Sequence, residues 1–141
     1  IMKKNFLKLL IVITLFPNYL FANTKYFTEG VSLFNNKKFK EAQFKFEQDI
    51  VFNPKSELSY LYLSKIFNKL EKKKLEEQNL QTVMLLNPKN EEAIYNLAKL
   101  KLASSDYKKS RELNNRLNLI CNKFCNKNNK LKIEIEKLSK K

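Results

Sequence analysis

Asn53-Pro54-Lys55 and Asn87-Pro88-Lys89 stand 34 residues apart in a chain that has only three prolines. Two helix-period patterns closed by proline at that interval are the mark of a helix-turn-helix repeat. Proline lacks the amide hydrogen that a helical ladder needs, and it pushes the residue before it out of helical geometry. Each Asn-Pro therefore ends a unit. Counting back from the prolines divides the chain after residue 22 into units 23–56, 57–90 and 91–124, with 125–141 following. A hairpin of two short helices cannot bury its own apolar face, so such units stack and leave an extended concave surface.

In the first unit, Tyr26, Gly30 and Leu33 share one helical face at intervals of four and three. The polar stretch Asn35 to Lys38 makes a turn, and Phe39, Ala42, Phe46 and Ile50 continue on a second helix. Gly30, the only glycine, offers a place where another helix can come close. The second unit repeats the layout with Tyr60, Leu63, Ser64 and Phe67, then Leu80, Val83, Met84 and Leu86. Its turn has neither Gly nor Pro between Leu70 and Glu77, so a single helix through 57–86 is the competing reading. The third unit carries Ile94, Leu97, Ala98 and Leu100, and Asp106-Tyr107 opens a helix with Leu113, Leu117 and Ile120. Leu131, Ile135 and Leu138 share a face of a terminal helix, with Ile133 off it.

The small residues Gly30, Ser64 and Ala98, the aromatics Phe39 and Tyr107, the small Ala42 and Ser110 three residues later, and the repeated Asn-Pro resemble the tetratricopeptide repeat (TPR) family. The resemblance covers 23–124. It implies an all-α, right-handed superhelix of three repeats, with 125–141 as capping helix and basic tail. Three residues depart from the family pattern: Glu29 stands at an apolar site, Glu76 at a small one and Asn114 at a large one.

The resemblance also implies that the first helix of each unit lines the concave face. That pattern points Phe27, Val31 and Phe34, then Leu61, Lys65 and Asn68, then Tyr95, Lys99 and Leu102 into a groove. Such a surface suits another protein or a peptide segment with apolar anchors and some acidic character. The competing reading is that some of these residues simply pack between helices. Family members that clamp a C-terminal carboxylate use Lys and Asn in the first unit, where this chain has Phe27 and Val31, so that mode of binding is not implied.

Residues 1–22 have another character. Lys3, Lys4 and Lys8 precede the apolar run Leu9 to Phe16, Pro17-Asn18 interrupts it, and Leu20-Phe21-Ala22 follows. This order is expected of a signal peptide cleaved after Ala22, which would place a bacterial protein in the periplasm. Retention as an inner-membrane anchor is the competing reading, although the run is shorter than the ~20 residues of a spanning helix. No cysteine follows the run, which argues against lipoprotein processing.

The formal charge is +14, and residues 1–22 contribute three lysines and no acid to it. Lysines can neutralise phosphates. Against nucleic acid stand the export order, the presence of only two arginines, Arg111 and Arg116, and the lack of an aromatic-glycine motif. Eighteen asparagines beside the lysines accord with an A/T-rich genome, which enriches both residues without selection for charge. Lysines also crowd each intra-unit turn: Lys37, Lys38 and Lys40, then Lys72, Lys73 and Lys74, then Lys108 and Lys109. Stacked in register they would form a basic edge able to meet an anionic membrane surface, each lysine contributing ~1 kcal/mol there.

Catalytic chemistry finds little support. The chain has no histidine, its lone glycine excludes a phosphate-cradling loop, and no serine sits in a nucleophile motif. The pairs Glu76-Glu77 and Glu91-Glu92 lie near helix starts, where acids are favoured by the helix dipole, and are expected at the surface. No enzyme, metal or cofactor is expected. Cys121 and Cys125, four apart in an exported chain, are expected to form a local disulfide at the junction of the last repeat and the terminal helix, the competing reading being two small buried residues at a helix end. Their spacing is not that of a redox or haem-attachment motif, and two cysteines without histidine are too few for zinc.

Overall fold

The structure is a computed structural model and describes residues 24–140; the signal-peptide reading of 1–22 lies outside them. Seven helices make up the described chain: α1 (Lys25–Asn35), α2 (Phe39–Phe52), α3 (Glu57–Lys69), α4 (Lys73–Leu86), α5 (Glu91–Ala103), α6 (Tyr107–Ile120) and α7 (Cys125–Leu138). The starts and ends of α2, α4 and α6 repeat every 34 residues, as do those of α3 and α5. Helices α1/α2, α3/α4 and α5/α6 form hairpins, and α2 packs on α3, α4 on α5 and α6 on α7.

Each hairpin turns without glycine. Lys37, Glu71 and Ser105 adopt left-handed φ values of 60°, 57° and 60°, again 34 residues apart. At each turn the chain doubles back through two backbone hydrogen bonds. The Lys38, Lys72 and Asp106 amides donate to the Leu33, Phe67 and Lys101 carbonyls at 2.9 Å. The Lys37, Glu71 and Ser105 amides donate to Phe34, Asn68 and Leu102. This pairing satisfies the last carbonyls of a helix and usually recruits glycine at its left-handed residue. It also decides between one helix and two over 57–86, because the break falls at Leu70–Lys72.

Replacing Glu71 with glycine is therefore expected to stabilise the protein. A left-handed conformation costs an L residue roughly 1–2 kcal/mol, and the greater freedom of unfolded glycine offsets about half of that relief. The melting temperature should rise by an amount worth about 0.5–1 kcal/mol. A fall would show that this turn is not left-handed in solution.

The core forms two neighbouring clusters. Phe27, Ala42, Phe46, Leu63, Ile66 and Phe67 unite the first hairpin with α3. The larger cluster runs from Leu61, Leu80 and Val83 through Ile94, Leu97 and Leu117 to Leu131 and Ile135 of α7. Helix α7 thus covers the open end of the stack, with Ile133 exposed on its outer face. Gly30 is the close approach: a Cβ there would lie 2.9 Å from Phe46 Cε1.

The departures from the family pattern have partners. Glu29 pairs with Lys45 at 2.6 Å across the first hairpin. Asn114 donates from its side-chain amide to the carbonyl and side-chain oxygen of Asn128 on α7, at 2.8 and 2.6 Å. Asn128 Nδ2 returns a bond to the Asn114 carbonyl at 2.9 Å, and both residues are buried. Cys121 and Cys125 are disulfide-bonded, joining the end of α6 to the start of α7. Glu91 holds the same junction by accepting the backbone amides of Asn122, Lys123 and Phe124 at 2.9–3.0 Å. Those amides, Asn122 and Phe124 foremost, hold its carboxyl below the usual range.

Candidate partner-binding groove

A groove of about 820 Å³ opens between the inner faces of α3 and α5, with the end of α1 and the start of α4 at its rim. It forms because the first helix of each hairpin presents one face to its neighbour while its next face remains open. Of the residues expected there, the structure brings together Phe34, Lys65, Asn68 and Lys99. The others are elsewhere. Phe27, Leu61 and Leu102 are core residues, buried against neighbouring helices, which corrects their placement as groove anchors. Val31 is half-buried against the first cluster, and Tyr95 packs on Phe124 of the α6–α7 junction with ring centroids 5.5 Å apart. The apolar positions were drawn inward because hairpin stacking removes more apolar surface from water than a groove exposes to a partner.

Ser64, Lys69, Glu71, Lys73, Glu76, Glu92, Asn96, Leu100 and Ala103 also line the groove. Lys73, which the sequence places on the basic edge, belongs to its rim. Positions three and four residues apart from Lys65 and Lys99 on their helices would have signalled Lys69, Asn96 and Ala103. Nothing local signals the contribution of α4, which depends on how the second hairpin closes. The remaining edge residues, Lys37, Lys38, Lys40, Lys72, Lys74, Lys108 and Lys109, are exposed. Lys38 pairs with Glu41 at 3.7 Å and Lys109 with Glu112 at 2.8 Å.

Glu76 corrects the expectation of a surface acid. Its side chain is only 5% exposed, and Asn68 Nδ2 donates to its two oxygens at 3.1 and 3.2 Å. Burial pushes its carboxyl up, while the Asn68 bond and the charges of Lys99 and Lys73 pull it down. Lys65, at the same wall, pairs with Glu92 at 2.8 Å and lies 5.1 Å from the centroid of the Tyr62 ring. Among the described residues, Lys69, Lys73 and Lys99 have no carboxylate within 4.0 Å. The groove is therefore a polar channel lined by lysines, asparagines and glutamates, with Leu100 buried in its wall and Phe34 and Ala103 as apolar residues at its rim.

A raised folded-state pKa means that protonation of Glu76 favours the fold. Its stabilising effect is complete below the unfolded carboxylate range and is lost as pH rises through the folded value. Glu76→Gln keeps an acceptor for Asn68 without the charge, so this variant should melt higher than the parent at pH 7. The difference should vanish in acid, and thermal melts at pH 7 and pH 4 measure it. Equal melting points at pH 7 would show that burial does not penalise the charged form.

No protein-family model matches the chain, and no curated protein does. Solved structures do. The TPR2B domain of yeast Sti1, in a pHsp70 complex, superposes with a TM-score of 0.75 at 13% identity, over 81% of this chain and 95% of that one. The first TPR domain of Spaghetti (RPAP3), bound to an HSP90 peptide, gives 0.73 at 15% identity, over 85% and 97%. The Yersinia enterocolitica type III secretion chaperone SycD, with a peptide of the translocator YopD, gives 0.73 at 16% identity, over 83% and 93%. The chain has the all-α TPR fold. At such identities the likeness concerns the fold, and the groove residues must be judged on their own chemistry.

Proposed function

We propose that this protein is a non-catalytic scaffold that holds another protein, or a peptide segment of one, in the groove between α3 and α5. The observation that carries this reading is the open, lysine- and amide-lined channel on the inner faces of stacked hairpins. Superposable domains that were solved with peptides bound support it. Backbone amides and carbonyls of an extended segment suit Asn68 and Asn96, and acidic side chains suit Lys69, Lys73 and Lys99. Phe34 and Leu100 leave room for only a small apolar anchor. Of the apolar anchors and acidic character expected of a partner from sequence, this channel suits the acidic residues better than bulky apolar ones.

The order of residues 1–22 supports a periplasmic setting, after cleavage behind Ala22, and a role in envelope assembly or maturation. Capture from envelope extracts tests the groove, using the parent and a Lys69→Glu, Lys73→Glu, Lys99→Glu variant. All three lysines are exposed, so the fold should persist. Reversing three charges should lower recovery of the groove's partner by about tenfold or more, since like charges at an interface cost several kcal/mol. Identical recovered proteins in identical amounts would refute the groove reading.

A further inference from the structure

The edge opposite the lysine-rich turns carries a pattern that the groove does not use. Val51, Leu85 and Leu119 occupy the last turns of α2, α4 and α6 at the 34-residue interval, and are 73%, 82% and 85% exposed. One exposed leucine is ordinary. The same exposed apolar site in three successive units is not a product of core packing, because none of the three enters the core. Lys55, Lys89 and Lys123 follow at the same interval, all exposed. Among the described residues none of these lysines has a carboxylate within 4.0 Å.

Hydrogen bonds tie these helix ends along one edge. Thr24 and Ser59 both donate to Asp49, joining the start of α1, the end of α2 and the start of α3. Asn87 and Asn90 donate to Glu57 at 3.0 and 2.5 Å, Arg116 donates to the Pro88 carbonyl at 2.6 Å, and Glu91 accepts the three amides before α7. Asp49, Glu57 and Glu91 are thereby engaged within the fold, so the outward charge of the edge is dominated by lysine. Glu47 lies one turn before Val51, and Gln81 and Asn115 take its place in the next two units. The described chain also enters the fold here, where Thr24 caps α1.

We propose that this edge docks on an anionic lipid surface. Val51, Leu85 and Leu119 enter the boundary between headgroups and acyl chains, and Lys55, Lys89 and Lys123 meet the lipid phosphates. A second copy of the chain fits poorly, because self-pairing would set one lysine row against another. The lysine row at the opposite turns lacks a repeated apolar companion: Leu75 is exposed beside it, at 38%, but Glu41 and Lys109 stand at its place in the other two units. Docking this way leaves the groove accessible, since its rim residues Phe34, Lys69, Lys73 and Ala103 lie toward the opposite turns.

Site-specific photocrosslinking on the full chain tests the orientation. The photoreactive residue p-benzoylphenylalanine is placed at position 85 or 119 on this edge, and at position 74 or 108 on the other. Vesicles are phosphatidylcholine alone or with about 30% phosphatidylglycerol, enough to create a negative surface potential. Lipid adducts, read by mass, should be about tenfold more abundant at 85 and 119 than at 74 and 108 on anionic vesicles. They should fall about tenfold on neutral vesicles, or when Lys55, Lys89 and Lys123 all become Gln. Equal adducts on both edges, more at 74 and 108, no adducts at any position, or adducts at 85 and 119 to a second protein copy would each overturn the proposal. Unchanged circular-dichroism melts confirm that the probes leave the fold intact.

Discussion

Phe46→Ala is expected to lower the unfolding free energy by about 3–5 kcal/mol, the range for removing a large aromatic side chain from a core. The Phe46 ring is fully buried, stacks on Tyr62 at 4.8 Å and meets Phe27 edge-on at 5.8 Å. With Phe27 and Phe34, which also meet Tyr62, it links the first hairpin to α3. Gly30 is small because this ring needs the space above it. Alanine is the better helix former by about 1 kcal/mol, yet Gly30→Ala should still destabilise, by about 1–3 kcal/mol, through overpacking against Phe46. Combining Gly30→Ala with Phe46→Leu should recover part of that loss, because the contact that makes alanine costly is gone. Urea unfolding of the four proteins measures both effects. A Phe46→Ala loss below about 1.5 kcal/mol, outside that core range, would mean that the first hairpin is not docked through this ring.

The buried asparagine pair yields the second large effect. Asn114→Leu removes the Nδ2 donor to Asn128 Oδ1 and leaves that buried oxygen without a partner, although Asn128 Nδ2 keeps its bond to the residue-114 carbonyl, and should cost about 1–3 kcal/mol. The double variant Asn114→Leu, Asn128→Leu removes both polar groups and should return to within about 1 kcal/mol of the parent, because an apolar replacement of a satisfied pair is close to neutral. The signature is therefore strong non-additivity in a double-mutant cycle. If the two single losses simply add, α6 and α7 are not joined by this pair. What the double variant gives up is discrimination, since an apolar face fixes the position of α7 less sharply than a reciprocal amide pair.

Much of the architecture was legible in the chain because it is periodic. The Asn-Pro pairs at 53–54 and 87–88 mark where helices must stop, and the three- and four-residue spacing of apolar side chains marks which face is buried. The hidden turn at Glu71 was harder. Glycine normally announces a left-handed residue, and here lysine, glutamate and serine fill that role at 37, 71 and 105. Only their shared interval could have pointed to it. Asn114 looked like a weak core position because its partner is 14 residues away on another helix.

The groove was less legible than the fold. Helical phase identifies the face a helix turns inward, but not how deeply a neighbour covers it. Leu61 and Leu102 share that inward direction with Lys65 and Lys99, and packing drew the leucines into the core while the lysines stayed at the rim. Glu76 shows the converse: a charged residue beside Glu77 in sequence is buried because α3 supplies Asn68 as its donor.

By itself the sequence determined the number of helical hairpins, their period and the faces they bury, because proline, apolar spacing and hydrophobic burial act locally along the chain. The tertiary structure alone decided which inward side chains remain open to a partner, which acids become buried acceptors, and which exposed residues align along an edge. Those outcomes depend on distances between residues that only stacking brings together.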